Sequence, residues 1–99
     1  MKKIVIAEFP AQADKVQELE ATLKEALVDT RAFDGCIRID TCYEEAAATF
    51  VLFEEWQSFE HYDRYLQWRM ETGLADLLDT LLEGGSQSFR VRKLEPRDV

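Results

Sequence analysis

The sequence predicts an α+β sandwich of the ferredoxin-like type, with element order βαββαβ and an extra short helix before the last strand. Three observations lead there. Strand-like and helix-like patterns alternate in that order along 99 residues, a length that fits one compact domain over 1–99. The central strands are apolar on both faces. The second long helix is apolar and aromatic over a wide arc.

Taken in order, residues 3–9 form the first strand, which Pro10 ends. Asp14 with Gln17 three residues on matches a capping box. Val16, Leu19, Leu23, Ala26, Leu27 and Thr30 then fall within about 100° of arc, an amphipathic helix to roughly residue 31. Asp34-Gly35 turns the chain into a second strand, 36–43. Glu44 to Ala48 reads as a hairpin loop whose three alanines could extend either neighbour, and the third strand is 49–56, rich in Phe, Val and Leu. Ser58 caps the second helix and Gly73 ends it. Leu74, Leu77, Leu78, Leu81 and Leu82 make the core stripe of a short helix, with Asp76, Asp79 and Glu83 opposite and Gly84-Gly85 closing it. The fourth strand, 87–94, alternates Phe89 and Val91 against Ser88, Arg90 and Arg92.

Right-handed crossovers place both long helices on one face of an antiparallel sheet, so the strands should alternate apolar with polar residues. They do not. Ile4 and Ile6 stand opposite Val5, Ala7 and Phe9, while Phe50, Leu52 and Trp56 stand opposite Val51 and Phe53. At ~25 cal/mol per Å², several exposed Phe, Val and Ile forfeit many kcal/mol and invite aggregation. The expectation is a homodimer with the two sheets packed face to face, since only Glu95 to Val99 remain to cover the open side.

In the second helix, with Phe59 at zero, Met70, Leu66, Tyr62, Arg69, Tyr65, His61 and Trp68 fill roughly 200°. Asp63, Gln67, Glu60 and Arg64 share the rest. Such a helix should meet a second surface, a ligand cavity or another subunit, unless the arc is spent on the Leu-rich helix.

Composition narrows the partners. With 46% hydrophobic residues the chain can build its core without a metal or staple. A net charge of −8 with no Lys/Arg cluster disfavours nucleic acid, and no apolar run nears the ~20 residues of a membrane span. Met1 to Glu8 is too short and too soon acidic for a signal peptide, so a cytoplasmic location is expected. Cys36 and Cys42, six apart on one face of one strand, would be ~20 Å apart, beyond the ~4.4–6.8 Å of a disulfide. Reduced thiols fit an intracellular protein. One His and two distant Cys argue against a metal site.

Three stretches resemble the antibiotic biosynthesis monooxygenase family, dimeric α/β barrels of about this length. Thr30-Arg31-Ala32-Phe33-Asp34-Gly35-Cys36-Ile37 is similar to that family's passage from first helix to second strand. Glu54-Glu55-Trp56-Gln57-Ser58 resembles its E-x-W-x-S ending of strand three, and the element order agrees across residues 2–95. The chain departs from the pattern at two places. Many members carry a His where this chain has Tyr65, and some carry an Asn where it has Leu52.

The resemblance implies oxygenation of an electron-rich aromatic, a quinol or anthrone, without metal or flavin, and the chain has no P-loop or dinucleotide fingerprint. Such chemistry needs an apolar pocket, a proton acceptor and donors for the developing anion. Glu54, if buried, gains a raised pKa that suits the acceptor, unless it is held in a salt bridge. His61 titrates near neutrality and is the other candidate base, though it lies near the edge of the arc, where a half-exposed histidine is ordinary. Tyr62 and Tyr65 are candidate donors to an oxyanion or plain packing groups. Trp56 is a candidate wall for a planar substrate or a core residue at a strand end. Arg69 could hold a phenolate or carboxylate, pair with an acid, or snorkel outwards. Leu66 and Phe59 complete the expected substrate-binding surface. Competing readings are a small-ligand-binding dimer without turnover, a haem-binding or haem-degrading protein using His61, and an isomerase on the same scaffold.

Overall fold

The computed structural model describes all 99 residues. β1 (Lys3–Pro10), α1 (Val16–Ala32), β2 (Cys36–Glu44), β3 (Thr49–Trp56), α2 (Phe59–Glu71), α3 (Leu74–Leu81) and β4 (Arg90–Leu94) follow in that order. The strands form one antiparallel sheet in the order β2-β3-β1-β4. This is the predicted α+β architecture. No helix is long and apolar enough to cross a membrane.

Strand alternation decides what meets the helices. Val5, Ala7 and Phe9 of β1 and Phe50, Leu52, Glu54 and Trp56 of β3 lie under them, all buried. Leu19, Leu23 and Leu27 of α1 and Leu78, Leu81 and Leu82 close the core above. On the opposite face Val51 is half-buried and Phe53 and Leu94 are 47% and 44% exposed. The two-sided apolar character read from the strands is therefore real.

Four local expectations are corrected. Asp14 does not cap α1: Lys15 N–H closes a turn onto the Gln12 carbonyl at 2.9 Å, so the helix starts at Val16 with no side-chain cap. The fourth strand starts at Arg90 instead of 87, because Gly84 and Gly85, both at positive φ, lead into a 3-10 turn over Gly85–Ser88. The alanines of the hairpin extend neither strand. They form a 3-10 turn, Glu45–Ala47, ended by Ala48 at φ 48.

The fourth correction concerns β2. Cys36 pairs with Trp56 and Arg38 with Glu55, so Ile37 is an extra residue in a bulge. The bulge reverses the facing of everything before it. Cys36 lies on the helix side beside Trp56, whereas Cys42, opposite Val51, lies on the open side. The two cysteines do not share a face. Both are free thiols, and burial pushes Cys36 up to about 11, with Glu54 adding to the rise and Arg31 opposing it.

Helix α2 shows the narrow wet strip expected of it: Glu60, Asp63, Arg64 and Gln67 are exposed. Met70, placed inside the arc, is exposed as well. The second surface that absorbs the rest of the arc is the C-terminal end of α1. Phe33 stacks on Trp68 at 5.5 Å and meets Tyr65 edge-on at 5.3 Å between ring centroids. In α3, Leu77 likewise departs from the core stripe and is 41% exposed.

Candidate active site

Glu54 is a carboxyl placed by β3 where alternation calls for an apolar side chain, and it is 4% exposed. No lysine or arginine pairs with it; the ion pairs of this protein all lie elsewhere. Its one protein partner is Trp56, two residues on along the same strand face, whose Nε1–H donates to Oε1 at 2.9 Å. Burial pushes the Glu54 carboxyl up to about 7, with the Trp56 hydrogen bond pulling it back. The salt-bridge alternative is therefore excluded, and Glu54 titrates near neutrality.

The carboxyl lines a cavity of about 60 Å³ between the sheet and the three helices. Fourteen of its sixteen lining residues are apolar or aromatic, leaving Thr22 and Glu54 as the polar exceptions. Tyr62 and Tyr65 of α2 form the wall nearest the sheet's helix-facing aromatics. Tyr62 is 2% exposed and meets Trp56 edge-on at 5.5 Å. Burial first, then Glu54, Tyr65 and Asp63, raise the Tyr62 phenol well above its ordinary range, so it stays protonated. It is a hydrogen-bond donor and never a base at neutral pH.

The Tyr65 hydroxyl is already engaged. It bonds Thr30 Oγ1 at 2.7 Å and accepts from Arg69 Nε at 3.0 Å. Arg69 also donates from NH2 to the Ala26 carbonyl at 2.7 Å and to Thr30 Oγ1 at 3.1 Å, while its guanidinium lies 4.6 Å from the Trp68 ring centroid. This knot ties α2 to α1 with charge-assisted bonds. Arg69 neither snorkels nor pairs with an acid, and it faces α1 instead of the cavity.

Of the eight residues singled out in the sequence, four line the cavity together: Glu54, Tyr62, Tyr65 and Leu66. The other four stand apart. Trp56 is fully buried behind Glu54 and orients its carboxyl, so it offers no face for a substrate to stack on. Phe59 sits outside, beneath Lys3 and Lys93, whose ammonium groups lie 5.6 and 5.7 Å from its ring centroid. His61 is a structural residue at the start of α2. Its Nδ1 shares a 2.7 Å hydrogen bond with Ser58 Oγ, which also accepts from the His61 backbone N–H, and Nε2 is 3.8 Å from Asp34. Its side chain packs against Gly35, where a Cβ would come within 2.3 Å of Cγ. Gly35, at φ +92, is thus fixed by both its backbone and its neighbour.

Sequence reasoning missed the α1 and α3 walls: Thr22, Ala26, Leu74 and Leu77, with Phe89 from the segment before β4. It also missed Thr30, 1% exposed, as the polar centre of the α1–α2 knot. A threonine on an otherwise apolar helix stripe was the visible signal. No group of three His, Cys, Asp or Glu is placed to hold a metal ion.

The family model described as antibiotic biosynthesis monooxygenase matches residues 3–69. No curated protein matches the chain. Among solved structures, Rv0793 from Mycobacterium tuberculosis is similar at 30% identity and TM-score 0.72, covering 100% of this chain and 98% of that one. A conserved protein from Methanosarcina mazei Go1 is similar at TM-score 0.81 and 19% identity over 98% and 94% of the two chains. A structure described as antibiotic biosynthesis monooxygenase gives TM-score 0.80 at 21% identity, over 99% and 100%. The latter two establish likeness of fold alone.

Proposed function

The chain belongs to the antibiotic biosynthesis monooxygenase family, and we propose that it oxygenates a small electron-rich aromatic, quinol- or anthrone-like, without metal or flavin, in the cavity that Glu54 lines. The observation that carries this reading is the unpaired, buried Glu54 carboxyl with its pKa near 7 in an apolar cavity. A base is most effective when its pKa lies near the working pH.

For an anthrone-like substrate the atoms balance as follows. Glu54 takes a proton from the activated CH₂, leaving a carbanion delocalised over the ring system. The anion gives one electron to O₂, and the resulting radical pair combines to a peroxide at that carbon. Glu54 returns its proton to the peroxide, which collapses to the ketone and water. The protonated Tyr62 hydroxyl is the donor available to the oxyanion. The cavity holds about two waters, so a ring is accommodated when the leucines of α2 and α3 part around it.

Oxygen uptake with a panel of quinols and anthrones, with chelator present, tests the reading. The expected result is chelator-resistant uptake that rises with pH through about 7 and falls at least ~100-fold in Glu54→Gln. Equal rates in the variant would remove Glu54 from the mechanism. The second reading is a ligand-binding protein without turnover, favoured by the engagement of Tyr65 with Thr30 and Arg69. Saturable binding of the same compounds, recovered unchanged and with no oxygen consumed, would establish that alternative.

The same reading includes a homodimer. The uncovered sheet face presents Ile4, Val51, Phe53 and Leu94, ringed by Arg38, Arg90, Arg92, Glu8 and Glu55, an arrangement suited to a second copy. Sedimentation equilibrium should give twice the 11.5 kDa chain mass; a single-chain mass at micromolar concentration would rule the dimer out.

A further inference from the structure

A second concavity lies across Leu23 and Leu27 from the cavity: both residues line both spaces. It is a cleft of about 320 Å³ between α1 and the edge strand β2. That volume is at the lower end of small-molecule sites and several times that of the inner cavity. Its floor is aromatic. Tyr43, 41% exposed, supplies it and rests on the buried Phe50 of β3, with ring centroids 4.7 Å apart. One wall is a flank of α1 on which Lys24, Leu27 and Arg31 recur at helical spacing.

The charges here run against those of the whole chain. The net charge is −8, yet the cleft sets Lys24 and Arg31 against a single carboxylate, Glu20. Neither cation has a carboxylate partner, although carboxylates are abundant and six lysine or arginine ion pairs form elsewhere. Arg31 is held in another way. One N–H of its NH2 group donates to the Ile39 carbonyl at 3.1 Å, which anchors the guanidinium beside the cleft and leaves its other N–H groups available. A fixed guanidinium at the rim of an aromatic floor suits a flat ring bearing an acid group.

We propose that this cleft binds a planar organic anion, a one- or two-ring aromatic carboxylate, with the ring on Tyr43 and the carboxylate on Arg31. Lys24, about two helical turns before Arg31 on the same flank, adds positive charge and contributes chiefly to long-range attraction. Glu20 limits the site to a single negative charge, because a second would approach its carboxylate. Binding here does not depend on Glu54 or on oxygenation, so the two sites fail or stand separately.

The test is an ¹H–¹⁵N NMR titration with 2-naphthoate, and with 2-naphthol as a neutral ring of the same size. Saturable shifts centred on Thr41 to Tyr43 and Leu23 to Arg31 are expected for 2-naphthoate, with binding weakened as salt rises. Affinity should fall at least fivefold for 2-naphthol, and at least fivefold in Arg31→Gln, but remain unchanged in Glu54→Gln. Lys24→Gln should weaken 2-naphthoate about threefold; Lys24 is exposed and makes no hydrogen bond or ion pair, so this variant keeps the test decisive if loss of the Ile39 contact unfolds Arg31→Gln. Equal affinity for the two compounds, shifts centred on Tyr62, Leu66 and Leu78, or no saturable shift at all would each overturn the proposal. The last result is also what a second copy seated in the cleft would give.

Discussion

Replacing Glu54 with Gln should stabilise the protein at pH 8 by roughly 3 kcal/mol, the reverse of what loss of a buried hydrogen-bonded side chain ordinarily does. The folded-state pKa of Glu54 is raised from 4.5 to about 7, chiefly by burial. Below pH 4.5 both folded and unfolded chains hold the proton and Glu54 contributes no pH dependence. Between 4.5 and 7 the folded state binds more protons than the unfolded one, so stability falls as pH rises. Above the folded pKa the penalty levels off, each tenfold difference in proton affinity between folded and unfolded chains being worth about 1.4 kcal/mol. With Glu54 4% exposed, solvent screening takes little from that figure. A glutamine keeps the acceptor for Trp56 Nε1–H and never ionises. Urea unfolding of both proteins from pH 4 to 8 should give curves that coincide at the acid end and diverge above pH 5. Parallel curves would mean that Glu54 carries no raised pKa.

Trp56→Ala has the largest expected cost to the fold. Trp56 is fully buried, with Tyr62 and Tyr65 packed on it at 5.5 and 5.2 Å. Removing so large a ring typically costs ~3–5 kcal/mol, through lost transfer energy and the cavity left behind. The substitution also removes the only protein donor to Glu54, so its carboxyl should rise above about 7. Trp56→Phe separates the two effects: most of the packing survives, the N–H does not, and the Glu54 pKa should still rise. Urea midpoints read the first effect and a carboxyl titration the second. A Trp56→Phe protein whose Glu54 titrates as in the parent would show that the indole hydrogen bond does not orient the carboxyl.

The sheet and helices were legible because their signals are local and redundant. The β3 boundaries, Thr49–Trp56, agree with those read from its Phe, Val and Leu content, and Ser58 caps α2 as its position suggested. Glu54 was legible too, since alternation put it on the face of Trp56. Which of the two meets the cavity was not. That depends on where α2 crosses the strand, and strand period carries no such information. The facing of Cys36 was hidden for a related reason: a one-residue bulge at Ile37 leaves the local pattern unchanged while flipping what precedes it. His61 and Arg69 were marked by residue type, but their partners, Gly35 and the Ala26–Thr30 turn, come from distant parts of the chain. Asp14 lost its cap role to a neighbouring backbone turn.

The central claim is that Glu54 is a proton acceptor poised near neutrality inside an apolar cavity. The most direct measurement is a ¹³C NMR titration of glutamate side-chain carboxyl carbons, with the Glu54 signal assigned by its loss in Glu54→Gln. An apparent pKa of about 7, against an ordinary 4.5, is the result predicted. A Glu54 signal that titrates with the surface glutamates near 4.5 would contradict the assignment of Glu54 as the base and, with it, the proposed chemistry.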